Sequence, residues 1–388
     1  MNVDSKVFLK KKFKKHYLSN PVQAPPEVHR REFGFGTLED KIKYRHKSFS
    51  NSRALNDFLR RETPFFVSYS CAYYEFPENQ PMESKNWLGA EVVFDLDLEV
   101  GFLSSMKMRQ VKSECIALTR FLEDDFGLNP REYSVNFSGG KGYHIHVDLE
   151  GVRGLNSNQR RQLSDYVTAA NLNRESFISC RQSPVGINTS GRKKGRVQGG
   201  MVVGPKLGDV GWAGRIYDGT VRLLDSSADE LKKLGFTPHV AKKITSEKDK
   251  LKKYLDEGNW TAIQNLIYKS GGRDVLALVI ENYAVKNMAV PDTDQQVTQD
   301  VSRLIRLPDS LHGGTGLSAK AVWDIDSFDP LVDAVVFPDE KVSVSFTRSV
   351  PEFDLGGETH GPYKKSSQTA LPEYAVVYLL LKNVCDVI

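Results

Sequence analysis

Cysteine is scarce: four in 388 residues, at positions 71, 115, 180 and 385, with no CxxC pair. Such wide spacing supports neither a disulfide framework nor a cysteine-only zinc site, so the thiols read as free or buried side chains. No apolar run approaches the ~20 residues of a membrane span. The basic start, MNVDSKVFLKKKFKKHYLSN, lacks the apolar core and small-residue cleavage site of a signal peptide. These absences lead us to expect a cytoplasmic protein. Internal repeats and low-complexity stretches are missing too. Strands and helices do not alternate in regular βαβ units, which argues for an α+β fold rather than a doubly wound sheet.

Charge of one sign is also in short supply. The net formal charge is +4, so the chain as a whole projects a weak field. Locally, basic residues do cluster. Lys6, Lys10, Lys11, Lys12, Lys14 and Lys15 crowd the start, and Arg192, Lys193, Lys194 and Arg196 form a second group. Lys242, Lys243, Lys248, Lys250, Lys252 and Lys253 form a third, diluted by Glu247 and Asp249. A single run of this kind is ordinarily a solvated face. Three on a near-neutral chain point towards nucleic acid.

The pattern of apolar residues predicts a lysine-faced helix at the start, and a second helix over 51–61 capped by Asn51 or Ser52. It predicts β structure over 64–76 and a helix over 105–126 closed by Gly127. YSVNF-SGGKG-YHIHVDLE (133–150) reads as two alternating strands around a glycine turn. Residues 157–180 read as helical, and the lysine-rich block 225–290 as a helical subdomain inserted into a core formed by 1–224 and 291–388. TQDVSRLIRL reads as a helix stopped by Pro308, and EYAVVYLLLKNVCDVI as a terminal helix.

Four segments could carry chemistry. In AEVVFDLDLEV, strand alternation points Asp95 and Asp97 the same way, with Phe94, Leu96 and Leu98 on the other face. Two carboxylates so close in an apolar run raise each other's pKa unless a cation joins them. An all-oxygen pair suits Mg²⁺ or Mn²⁺; the bland reading is a solvated acidic edge. In SGGKG, Ser138, the turn amides and Lys141 could hold a phosphate, although the GxxxxGK[ST] pattern is absent and a plain hairpin turn is the alternative. HIHVD puts His144 and His146 on one strand face, as a zinc pair or as neutral, half-exposed histidines. In RLIRLPDSLHGGTGL, Arg303 and Arg306 would share a helix face, and with His312 could clamp a polyphosphate. Asp292, Asp294 and Asp300 lie upstream, any of which could supply a third carboxylate.

In this order, AEVVFDLDLE, SVNFSGGKGYHIHV and RLIRLPDSLHGGTGL resemble the small, catalytic subunit of archaeal and eukaryotic DNA primases, as do HRREFGFGTLEDKIKYRHKSF and PMESKNWLGAE upstream. The resemblance runs from about Arg30 to about Val335. It implies a mixed α/β catalytic core with a helical insertion. It implies Asp95, Asp97 and, through DQQVT, Asp294 as metal-binding carboxylates for Mg²⁺ or Mn²⁺. Ser138, Lys141 and His144 match the family's SGxRGxH motif, with lysine in place of the usual arginine, and Arg303, Arg306 and His312 match the third motif. Both motifs contact the nucleotide; Glu32 and Arg45 carry over from the REF…YR segment. Many relatives have a Cys/His zinc knuckle after the acidic strand. Here only Cys115 stands there, so no structural zinc is expected.

The resemblance therefore implies template-directed primer synthesis on single-stranded DNA from NTPs or dNTPs, by two-metal nucleotidyl transfer. It also implies a partner, a large subunit holding an iron–sulfur cluster. Other readings are a repair-type primase-polymerase of the same superfamily, a metal-dependent hydrolase using His144 and His146, and a non-catalytic nucleic-acid-binding protein.

Overall fold

Two four-stranded antiparallel sheets carry the segments singled out above. The computed structural model describes every residue except 99–100, 171, 178, 182–200, 269–289 and 291–293. Two compact units divide the chain: residues 1–119, 128–164 and 292–388 form one, residues 120–127 and 165–291 the other. The block expected at 225–290 lies within the second unit, which also takes in residues 120–127 and 165–224.

The first unit opens with α1 (Val3–Ser19), capped by the Asn2 side chain. Then come β1 (Phe33–Gly36), β2 (Tyr44–Lys47), α2 (Ser52–Glu62), β3 (Phe66–Ser70), β4 (Ala72–Tyr74), β5 (Trp87–Ala90) and β6 (Val92–Asp97). Asn51 caps α2, accepting from the Ala54 amide at 3.0 Å. After α3 (Ser105–Arg120) the expected hairpin forms from β7 (Tyr133–Phe137) and β8 (Gly142–Val147), followed by α4 (Glu150–Arg153) and α5 (Ser157–Val167). The helix expected to reach 180 stops at Val167, where Ala169 takes a positive φ of 57°.

In the second unit, β9 (Ser179–Arg181) pairs with β10 (Met201–Val203). Helices α6 (Gly211–Asp225), α7 (Ala228–Lys233), α8 (Pro238–Ser246), α9 (Lys248–Asp256) and α10 (Trp260–Tyr268) follow. Their starts carry local signals: a Ser227/Glu230 capping box at α7 and a Thr237 cap with Pro238 at α8. Much of the third basic cluster is neutralised locally, with Lys248 and Lys252 both on Asp225. The basic group at 192–196 and the predicted helical run at 275–285 lie outside the described residues.

The chain re-enters the first unit at α11 (Gln295–Gln299), then β11 (Leu304–Arg306), β12 (Lys320–Val322), α12 (Pro330–Asp333), β13 (Lys341–Phe346), β14 (Phe353–Leu355), β15 (Glu358–His360), β16 (Gln368–Pro372), α13 (Glu373–Leu381) and β17 (Cys385–Val387). Two expectations fail here. SRLIRL is not helical: α11 ends at Gln299, and Leu304–Arg306 pair with β3. Pro308 disfavours helix in the residue before it, and the open edge of β3 offers backbone partners. The last residues are not all helical either. Asn383 turns out of α13 at φ 56°, and the β-branched tail pairs with β13.

One sheet runs β11-β3-β1-β2 and the other β12-β7-β8-β6. Phe94 and Leu96 are buried, while Asp95 is half-buried and Asp97 exposed, as alternation predicts. The α+β class is confirmed. Among the described residues no helix is long and apolar enough to cross a membrane.

Candidate active site

The register of β6 on β8 sets the site: Asp95 is paired with His144 and Asp97 with Gly142. His144 Nε2 lies 3.4 Å from Asp95 Oδ1, and Lys141 Nζ lies 3.4 Å from Asp97 Oδ2. Burial, then the charges of Asp97 and Asp294, pushes Asp95 up to about 7. Partial desolvation at the pocket wall also raises Asp97, although its side chain is in part exposed, against the pull of Lys141. Asp294 reaches this place through its backbone, whose amide donates to the Asp95 carbonyl at 2.9 Å. Its Oδ1 accepts from the Gln296 and Val297 amides, capping α11. Among the described residues no three acidic, histidine or cysteine groups converge into a complete ligand set. The arrangement is a carboxylate pair with a third carboxylate at its flank. Its oxygen-only donors and mutual repulsion suit a hard divalent cation.

The SGGKG turn is held from within. Ser138 Oγ accepts from the Gly140 and Gly142 amides at 3.2 and 3.3 Å, which leaves its own hydrogen free to donate. Gly139 has φ 74°, and a Cβ there would lie 3.0 Å from the Ala319 amide and from His312 Cβ. The turn therefore sits against the third motif. Thr315 Oγ1 donates to the Gly139 carbonyl at 2.5 Å. His312 Nδ1 accepts from the Gly314 amide at 3.3 Å. Burial and the nearby Arg306 charge keep His312 neutral; its Nδ1 also lies 3.1 Å from Thr315 Oγ1, and its Nε2 lies beside Gly140.

His144 is neutral as well: burial, then His146 and Arg306, pushes it down to about 3. Its Nδ1 is buried without a protein partner. Arg306 packs over the Phe66 ring at 5.0 Å and donates to the Val67 carbonyl at 3.2 Å. Phe66 also meets the His312 ring edge-on at 5.5 Å. Burial lowers Arg306 to about 10, still a cation at neutral pH. Arg303 and Arg306 were expected on one helix face; Arg303 instead precedes a strand that Arg306 ends, yet both line the same pocket.

That pocket encloses roughly 500 Å³, and Asp95, Asp97, Ser138, Lys141, His144, Arg303, Arg306, His312 and Arg45 all line it. Glu32 stands behind Arg45. It is fully buried and accepts from Arg45 Nε at 2.8 Å, with Lys85 Nζ 3.6 Å away. Asp300, one of the three upstream carboxylates considered from the sequence, lines the pocket too, as do Lys41 and Lys382, which were missed from sequence. Lys41 sits two residues from a second lysine in an unremarkable turn, and Lys382 lies 241 positions beyond Lys141. His144 lines the pocket and His146 does not: the buried His146 has its Nδ1 2.7 Å from the Glu91 carboxylate, which also pairs with Arg31.

Fold and pocket together define an α+β protein with a carboxylate pair facing a cage of cations. Comparison with known proteins narrows this. The family model for the DNA primase small subunit matches residues 94–325. The DNA primase small subunit PriS of Methanothrix thermoacetophila is 35% identical, with both chains covered in full. That of Archaeoglobus fulgidus is 34% identical over 98% of each chain, and that of Methanococcoides burtonii 32% over 100% of this chain and 99% of its own. The chain belongs to the DNA primase small subunit family.

Proposed function

We propose that this chain is the catalytic subunit of a DNA primase, making short RNA primers on single-stranded DNA by nucleotidyl transfer. The observation that carries the reading is one pocket in which the Asp95/Asp97 pair faces Lys141, Arg303 and Arg306, with two neutral histidines between. In this reading the two histidines do not act as a zinc pair: His144 lines the nucleotide pocket beside Asp95, and His146 lies outside that lining.

Asp95, Asp97 and Asp294 would hold Mg²⁺ or Mn²⁺. Bound there, the ions would acidify the attacking 3′-hydroxyl and neutralise charge on the triphosphate. In the transfer the 3′-oxygen bonds to the α-phosphorus while the bond to the β-phosphate oxygen breaks and pyrophosphate leaves. The chain's own contribution is positioning and charge. Ser138 Oγ–H donates to a phosphate oxygen, with His312 Nε2 beside it at the turn. His144, neutral and with Nδ1 unengaged, lies beside Asp95. Lys141, Arg303 and Arg306 screen the β- and γ-phosphates. Arg45 reaches the pocket from β2, and Glu32, which only touches Arg45, is a positioning residue.

The chain would work as a cytoplasmic heterodimer with a large subunit holding an iron–sulfur cluster, and the exposed Lys11, Lys14 and Lys15 of α1 would meet the template backbone. Labelled-nucleotide synthesis on unprimed single-stranded DNA, with and without the large subunit, tests this. De novo products are expected. Extension of supplied primers only would favour a repair-type polymerase instead.

A further inference from the structure

One wall of the pocket comes from the other end of the chain. Helix α13 is buried from Glu373 to Leu380 and packs on the loop that follows His312. A Cβ on Gly316 would sit 2.6 Å from Val377 Cγ1. Tyr378, one turn before the helix end, accepts a hydrogen bond from the Leu103 amide at 2.9 Å, in the segment just after the acidic strand. Lys382 is the next residue after the helix, and Asn383 turns the chain away. The Lys382 ammonium lies 5.6 Å from the Tyr378 ring centroid. The helix is thus placed by contacts to the loop after His312 and to the segment after β6, and the Tyr378 ring flanks the Lys382 side chain.

Lys382 is half-buried, lines the pocket with Lys141 and His312, and is close enough for its charge to oppose a proton on either. Among the described residues no carboxylate is within ion-pair distance of it; Asp97 faces Lys141 instead. Holding two ammonium groups near each other in a partly desolvated pocket costs free energy unless an anion joins them. The same pocket already collects Lys41, Arg303 and Arg306. The anion that fits several convergent cations and a polar turn is a polyphosphate.

We propose that Lys382 binds the terminal phosphates of the incoming nucleoside triphosphate, alongside Lys141 and His312. This rests on the nucleotidyl-transfer reading above. A charge-assisted hydrogen bond of this kind is worth enough for about a tenfold or greater change in affinity.

The test compares the full chain with K382A and K382R, measuring ATP and AMP binding by titration calorimetry, KM and kcat in primer synthesis, and thermal stability. K382A is expected to weaken ATP binding and raise KM about tenfold or more, with AMP binding unchanged and K382R restoring most of the loss. A folded K382A that binds ATP like the parent overturns the proposal. So does a loss of stability that explains the whole effect, which would assign Lys382 to the helix end alone. If the parent chain binds ATP no better than AMP, the nucleotidyl-transfer reading fails as well. If the parent discriminates and K382A discriminates to the same degree, only the role of Lys382 fails.

Discussion

Asp95 and His144 face each other across neighbouring strands, carboxylate and imidazole 3.4 Å apart, and their ionisation tendencies run in opposite unusual directions. The carboxyl is pushed up to about 7 and the imidazole down to about 3. At neutral pH the pair therefore holds little net charge until a cation arrives. Burial drives both shifts, so the site is built to be completed by a ligand rather than by its own ion pair.

Metal binding should be linked to protons. Asp95 is protonated below about pH 7 in the folded chain. Its native pKa lies above the unfolded value of about 3.9, so metal-free stability should fall as pH rises from about 4 to 7. Mn²⁺ or Mg²⁺ needs the carboxylate, so affinity should rise with pH through about 7. Calorimetry at pH 6 in two buffers of different ionisation enthalpy should show proton release that D95N lacks. Buffer-independent heats in the parent chain would contradict this.

The two histidines of HIHVD should separate cleanly. H144A removes a group facing the pocket and should cut kcat about 10²-fold with little change in melting temperature. H146A breaks a buried contact to Glu91 and should cost about 1–3 kcal/mol of stability, with activity retained in the folded fraction. Thermal melts read beside primer synthesis distinguish them. Equal effects on both readouts for both variants would count against the assignment.

Glu32 and Arg45 should also differ. R45A is expected to fold and to raise the nucleotide KM. E32A strips the partner from Arg45 and from the fully buried Lys85, at a cost of about 3–5 kcal/mol. Urea denaturation checks this: a midpoint for E32A equal to that of the parent would show that Glu32 is not the anchor.

Local alternation made the centre of the site legible. VVFDLDL carries its own geometry, because period two decides which side chains share a face, and SGGKG between alternating strands can only be a turn. Arg303 and Arg306 were expected on a helix, and the structure puts them at a strand. The apolar spacing of SRLIRL fits a helix, but an available edge on β3 outweighs local periodicity. Lys41 and Lys382 were not legible at all. No local signal distinguishes a lysine at the end of an apolar helix from an ordinary surface residue, and the place of Lys382 depends on Gly316, Val377 and Tyr378 packing across the chain. The Glu91–His146–Arg31 network was likewise hidden, since its members come from three separate segments.

The central claim is that Asp95 and Asp97 form the reaction centre of a primer-making nucleotidyltransferase. It is tested most directly by D95N/D97N in the labelled-nucleotide assay on unprimed single-stranded DNA, with circular dichroism on the same samples. Synthesis should fall by about 10³-fold or more while the fold is kept, and the melting temperature should hold or rise as like-charge repulsion disappears. A folded double variant that still makes primers at the parental rate would contradict the account.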